Sequence, residues 1–118
     1  MSSHKMDQSL EQCIQNCLDC ARICMETLTY CHEQGGKHAE PAHLKLLMDC
    51  SEICQTCAHF MLRGSQFHPQ LCAVCAQVCT QCAESCGQFG GDAKMQACAE
   101  VCRRCAESCR QMSMKKAA

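Results

Sequence analysis

Apolar and polar positions alternate along this chain in steps of three or four residues, and the apolar member is most often cysteine. The cysteines fall into four groups. They are Cys13, Cys17, Cys20, Cys24 and Cys31; then Cys50, Cys54 and Cys57; then Cys72, Cys75, Cys79, Cys82 and Cys86; then Cys98, Cys102, Cys105 and Cys109. Within each group every step is 3, 4 or 7, and neither Cys-Cys nor Cys-x-Cys occurs. That spacing places each group on one stripe of an α-helix, and the 3-4 alternation is the narrow seam of a helix bundle. Glu11, Gln12, Gln15, Asn16, Asp19 and Arg22 fill positions between the thiols and are expected to face outward.

The punctuation agrees with four helices. Gly35-Gly36 closes the first stretch and Pro41 suits the start of the second. Gly64-Ser65 closes the second, Pro69 sits near the start of the third, and Gly87 to Gly91 ends it. Asp92 is a suitable N-cap for the fourth. The pattern predicts helices over about 7–34, 42–63, 67–88 and 92–112, all within one domain spanning 1–118. Short connections make neighbours antiparallel, so the expected fold is all-α, an up-down-up-down four-helix bundle with a Cys-lined core. Residues 78–88 match 101–111 at eight of eleven positions, including every Cys, and the three differences all become Arg (Arg103, Arg104 and Arg110). This echo reads as duplication of a helix unit. With Lys115 and Lys116, these arginines complement the negative pole of the last helix.

Composition sharpens the picture. Of 118 residues, 17 are Cys, while aromatics are only 3% and Trp is absent, so thiols replace the usual core bulk. The net charge of −1 gives no electrostatic footprint for nucleic acid. With mean hydropathy −0.19 and no long apolar run, no membrane span is expected. Met1 to Asp7 lacks the apolar segment of a secretory signal, so the expected compartment is the cytoplasm, where thiols stay reduced. The odd cysteine count also prevents complete pairing within one chain.

Three uses of such stripes compete. Disulfides fit poorly: helical neighbours hold Cβ atoms about 5–6 Å apart, whereas a disulfide needs about 3.5–4.5 Å. Inert packing explains one or two thiols, but a seam filled with Cys leaves the bundle underpacked relative to Leu or Ile. Metal ligation explains both the chemistry and the missing volume, because a soft cation drives thiol deprotonation and relieves thiolate repulsion. Soft thiolate sites select Cu(I), zinc or Fe–S clusters. Zinc favours closed sets of four ligands, into which continuous stripes do not naturally divide. The ferredoxin run C-x2-C-x2-C-x3-C-P is absent. Cu(I) accepts two or three thiolates and shares them. Seven C-x3-C pairs are available: Cys13/Cys17, Cys20/Cys24, Cys50/Cys54, Cys75/Cys79, Cys82/Cys86, Cys98/Cys102 and Cys105/Cys109. The alternatives that stay open are an Fe–S electron carrier and a zinc or cadmium thiol reservoir.

These Cys-striped helices, the C-x3-C pairs and the run Leu71-Cys72-Ala73-Val74-Cys75 through Cys86 resemble the bacterial copper storage proteins, and most closely their cytosolic branch. The resemblance covers roughly Glu11 to Arg110. It implies a four-helix bundle that stores many Cu(I) ions on thiolates inside it, commonly as a homotetramer. A copper chaperone or a small thiol would be its exchange partner. No nucleophile–base set and no phosphate loop stands in the sequence, so no enzymatic turnover is expected.

The chain departs from the fullest family pattern at three seam positions, Thr27, His43 and Met95. His43 and Met95 remain usable Cu(I) ligands, and Thr27 does not. An antiparallel arrangement gathers Cys31, His43, Cys86 and Met95 at one end, with His32 and His38 nearby. That end is the expected mouth. The other end gathers Cys13, Met61, Cys72, Cys109 and Met112, with His68 as a further accessory donor. Leu28, Leu44, Leu47 and Met48 are expected to pack the less thiol-rich part of the first two helices.

Overall fold

In the computed structural model, which describes residues 7–114, four helices form a rod of 54 × 20 × 19 Å. They are α1 (Gln8–Gln34), α2 (Pro41–Leu62), α3 (His68–Gly87) and α4 (Ala93–Ser113), with a 3-10 turn (Gly36–Ala39) between α1 and α2. Sequence neighbours pack on one another and α1 closes the square against α4; among the described residues the diagonal backbones stay apart, and only inward side chains meet there, as Cys54 and Cys105 do with sulfurs 3.7 Å apart. The antiparallel order follows from short connections.

Local chemistry sets the helix ends. The Asp7 carboxylate accepts from the Leu10 N–H and starts α1. Gly35 ends it with φ 69, a left-handed conformation that glycine adopts without Cβ strain, and its N–H bonds to the Cys31 carbonyl. Pro41 occupies the first turn of α2, where its missing N–H costs nothing. Asp92 caps α4 by accepting from the N–H groups of Lys94 and Met95.

All 17 thiols face inward and are fully buried, and none is paired in a disulfide. The small side chains Ala58, Ala76, Ala83, Ala99 and Ala106 flank the stripes and let the helices approach closely. Bulk is concentrated elsewhere: Leu47, Met61, Met95 and Met112 are the largest fully or nearly fully buried residues. Burying each contributes on the order of 1.5–3 kcal/mol.

Three outward or packing expectations need correction or limits. Asn16 is buried, at 8% exposure, because its amide bridges α1 to α4 by donating to Ser108 at 3.1 Å. Met48 is 41% exposed, since the inward stripe of α2 runs through His43, Leu47, Cys50, Cys54, Cys57 and Met61, and residue 48 lies about 100° away from residue 47. Leu28 and Leu44 are half-buried against the core. Arg103, Arg104 and Arg110 make exposed ion pairs with Glu100 and Glu107 along α4, while Lys115 and Lys116 lie outside the described residues.

Candidate metal centre

The four stripes converge into one continuous column of sulfur. Neighbouring Sγ atoms lie 3.4–4.0 Å apart along it. Contacts between helices are as short as those within them. Cys57 and Cys72 are 3.4 Å apart, Cys17 and Cys109 3.5 Å, and Cys54 and Cys79 3.5 Å, whereas the intrahelical pairs Cys20/Cys24 and Cys75/Cys79 stand at 4.0 and 3.8 Å. Two metal–sulfur bonds of about 2.3 Å, the length zinc makes to thiolate, span up to about 4.6 Å, so a soft ion fits between any of these neighbours.

The grouping matters more than any one distance. Four sets of four thiols, each mutually within 4.8 Å, are present among the described residues: Cys17, Cys75, Cys105 and Cys109; Cys20, Cys50, Cys54 and Cys79; Cys20, Cys24, Cys50 and Cys102; and Cys54, Cys75, Cys79 and Cys105. Cys57, Cys72 and Cys109 make a further set of three. The sets overlap through shared sulfurs. No more than two of the four-thiol sets can be filled at once without sharing, which would idle nine of the 17 thiols.

Electrostatics forbids this column from ionising by itself. Two thiolates 3.5 Å apart repel by about 5 kcal/mol at an effective dielectric near 20. One thiolate can be stabilised by S–H donors around it, and its neighbours then hold their protons more tightly. Thus contact with Cys109 and then Cys17 lowers Cys13, while contact with Cys105, Cys109 and Cys13 raises Cys17. Cys57 is lowered to about 5 by Cys109, Cys17 and Cys72. At the column's end, burial and then the charges of Cys98 and Asp92 push Cys31 up to about 11. Monovalent cations threaded through the column would remove the repulsion and allow full deprotonation.

At the α1 C-terminal end, Cys31 Sγ lies 3.4 Å from His43 Nε2 and 3.6 Å from Met95 Sδ. Cys86 lies against Cys82 and Cys98 just beneath. Burial pushes the His43 imidazole below its ordinary value, so the ring is neutral near pH 7. His43 Nδ1 is 2.7 Å from Ser85 Oγ, and with Nδ1–H donating there, Nε2 offers its lone pair to the Cys31 side. Thr27 occupies the seam with its hydroxyl buried and unpaired.

This end is covered. The 3-10 turn brings His38 Nε2 within 2.9 Å of Asp92 Oδ2, which also accepts from Tyr30 Oη at 2.8 Å. The His38 ring packs on Phe89 with centroids 4.2 Å apart, and Phe89 lies 5.2 Å from the His43 ring. Cys31 and Met95 are fully buried and His43 is 5% exposed, so the expected mouth is closed by an aromatic plug. His32 is exposed. At the opposite end, Cys72 Sγ sits 3.9 Å from Met61 Sδ and 4.0 Å from His68 Nδ1, and Met112 is buried nearby in α4's last turn. Sequence spacing signalled every thiol and placed His38 near this end, but it did not signal Ser85, Phe89 or Tyr30, or the pairing of His38 with Asp92, which depend on partners distant along the chain.

A sequence profile described as "Copper storage protein" matches residues 6–114. The chain belongs to the copper storage protein family. Solved structures of similar proteins carry the same architecture. The Nmul_A1745 protein of Nitrosospira multiformis is 50% identical, with TM-score 0.86 over 92% of this chain and 97% of that one. The Cu(I)-bound copper storage protein BsCsp3 of Bacillus subtilis is 37% identical, with TM-score 0.83 over 90% and 99% of the two chains. The cytosolic copper storage protein of Streptomyces lividans, solved with five coppers, is 25% identical, with TM-score 0.79 over 92% and 94%. In this copper storage family member, the thiol column is the feature that sets the bundle's chemistry.

Proposed function

We propose that this chain stores many Cu(I) ions per molecule on cysteine thiolates inside its bundle. The observation that carries the reading is the overlap of the thiol sets, which suits an ion that accepts two or three shared thiolates. The ligands would be all 17 cysteines, with His43 and Met95 completing the α1 C-terminal end and Met61, Met112 and His68 as accessories at the other. Bound this way, copper is kept from redox cycling and from displacing other metals. Closed four-thiolate zinc sites would use fewer than half of the thiols without sharing, and cluster-wrapping loops of the ferredoxin kind do not occur among the described residues.

The family and the relatives with copper support a storage role without catalytic turnover. The Streptomyces lividans relative is cytosolic, and we place this chain in the cytoplasm too. No helix among the described residues is long and apolar enough to cross a membrane. A homotetramer, with a copper chaperone or small thiol as exchange partner, completes the proposal. Anaerobic titration of the reduced protein with Cu(I), against a strong chromogenic chelator, tests it. Withholding of more than about ten ions per chain before the chelator colours supports storage, because only shared thiolates hold so many. Saturation at one or two ions overturns it.

A further inference from the structure

We propose that the column has a second cargo: two divalent ions of the zinc class, zinc or cadmium, each closed in a tetrahedral site of four thiolates and held when copper is absent. The inference rests on how the thiol sets overlap and not on the copper reading, so either can fail alone. A tetrahedron with metal–sulfur bonds of about 2.3 Å has sulfur–sulfur edges of about 3.8 Å. Edges within the four-thiol sets run from 3.5 Å for Cys17/Cys109, through 3.6 Å for Cys54/Cys75 and 3.7 Å for Cys50/Cys79, to 4.0 Å for Cys20/Cys24. Each set draws its thiols from three helices, so the folded bundle itself brings the four sulfurs together.

Overlap sets the number of ions. Among the described residues the four sets form a chain. The set holding Cys17 and Cys109 shares Cys75 and Cys105 with the next, which shares Cys54 and Cys79 with the third, which shares Cys20 and Cys50 with the set holding Cys24 and Cys102. A closed site uses all of its sulfurs, so adjacent sets are never filled together and two ions are the limit. Cys57, Cys72 and Cys109 lack a fourth thiol and close no such site. Each ion displaces four thiol protons to solvent and leaves a site with two net negative charges, which neighbouring S–H groups stabilise. Two such sites repel, and this favours filling the first and last sets of the chain. Cu(I), content with two or three shared thiolates, escapes the limit and displaces both ions.

The overlap also dictates which thiols matter. Losing Cys20 or Cys75 breaks two sets at one end of the chain and leaves two that share sulfurs, so capacity falls from two ions to one. Losing Cys54 breaks two sets as well, but leaves the first and the last, so capacity stays at two.

The test is anaerobic titration of the reduced, metal-free full-length protein with Zn(II) against a chromogenic zinc chelator, repeated with Co(II), whose thiolate absorption reports sulfur coordination. Wild type and Cys54→Ser should each withhold two ions, and Cys20→Ser and Cys75→Ser one. Cys50→Ser and Cys105→Ser repeat those losses at the same shared pairs, so a variant that fails to fold leaves the comparison intact. Cu(I) added to the zinc-loaded wild type should release both ions. A wild type that withholds fewer or more than two zinc ions, equal losses in Cys54→Ser and Cys20→Ser, or zinc retained at full copper loading overturns the proposal while leaving copper storage standing. A low end point in the separate Cu(I) titration overturns storage and leaves the two divalent sites standing.

Discussion

Cys20 and Cys102, 82 residues apart along the chain, hold their sulfurs 3.7 Å apart at the centre of the bundle. Cys20 also lies 3.7 Å from Cys50 and 4.0 Å from Cys24, so one thiol serves two overlapping sets. Sharing of this kind makes capacity a property of the column instead of separate sites.

Cys20→Ser should therefore lower capacity by more than one ion, whereas Cys31→Ser, at the column's end, should lower it by one at most. Both variants should stay helical, and the lost sulfur should cost on the order of 1 kcal/mol of stability. Chelator competition gives the capacities and chemical denaturation the stabilities. Equal losses of capacity in the two variants would argue for independent sites.

Thr27 interrupts the α1 stripe between Cys24 and Cys31, and its buried hydroxyl has no partner. A buried unpaired hydroxyl costs about 1–3 kcal/mol. Thr27→Val should raise stability by about 1 kcal/mol without changing copper capacity. Thr27→Cys should also be tolerated and should add about one ion, since it continues a stripe that already shares ligands. Calorimetry and titration of the two variants check this.

Copper binding should release protons. The Cys31 thiol, pushed up to about 11, carries its proton at neutral pH, and Cu(I) must displace it. The sign is fixed: lowering the pH favours the protonated apo column, and affinity falls about tenfold per pH unit for each proton displaced. Titration in weak buffer with a pH indicator should show net acidification on loading. Proton-neutral loading would contradict thiolate ligation.

Asp92 is held below the usual carboxylate range, first by the His38 hydrogen bond and then by those from Tyr30 Oη and the Met95 N–H. Its folded value is depressed, so its contribution is present above the unfolded value and is lost as pH falls through the folded one. Asp92→Ala should destabilise the protein at neutral pH, and the gap to wild type should close at acid pH. Denaturation curves across pH 3–7 measure the gap, an interval set by the ordinary carboxylate value of about 3.9.

The stripes were legible because helix periodicity converts a three-four spacing directly into one face, and 17 thiols at that spacing leave little choice of register. Ser85 and Ser108 show where such legibility stops. They occupy equivalent positions of the internal echo, and each anchors a buried polar residue of a neighbouring helix, His43 and Asn16 respectively. Nothing in the spacing indicates these partners, because each pair forms only when distant helices dock. The plug is hidden for the same reason: His38 looks like a loop histidine until Asp92, 54 residues away, and Phe89 close on it. Met48, expected to pack the first two helices, lies off the inward stripe and is 41% exposed, while Leu44 one turn earlier is half-buried against the core.

The continuous shared column is the central claim, and diffraction from a copper-loaded crystal, with anomalous data collected at the copper edge, tests it most directly. The account predicts a file of copper peaks along the bundle axis, with individual sulfurs such as Cys20 and Cys54 bridging two ions. Copper confined to one or two isolated sites, or bound on the outer helix faces while the core thiols stay metal-free, would contradict it.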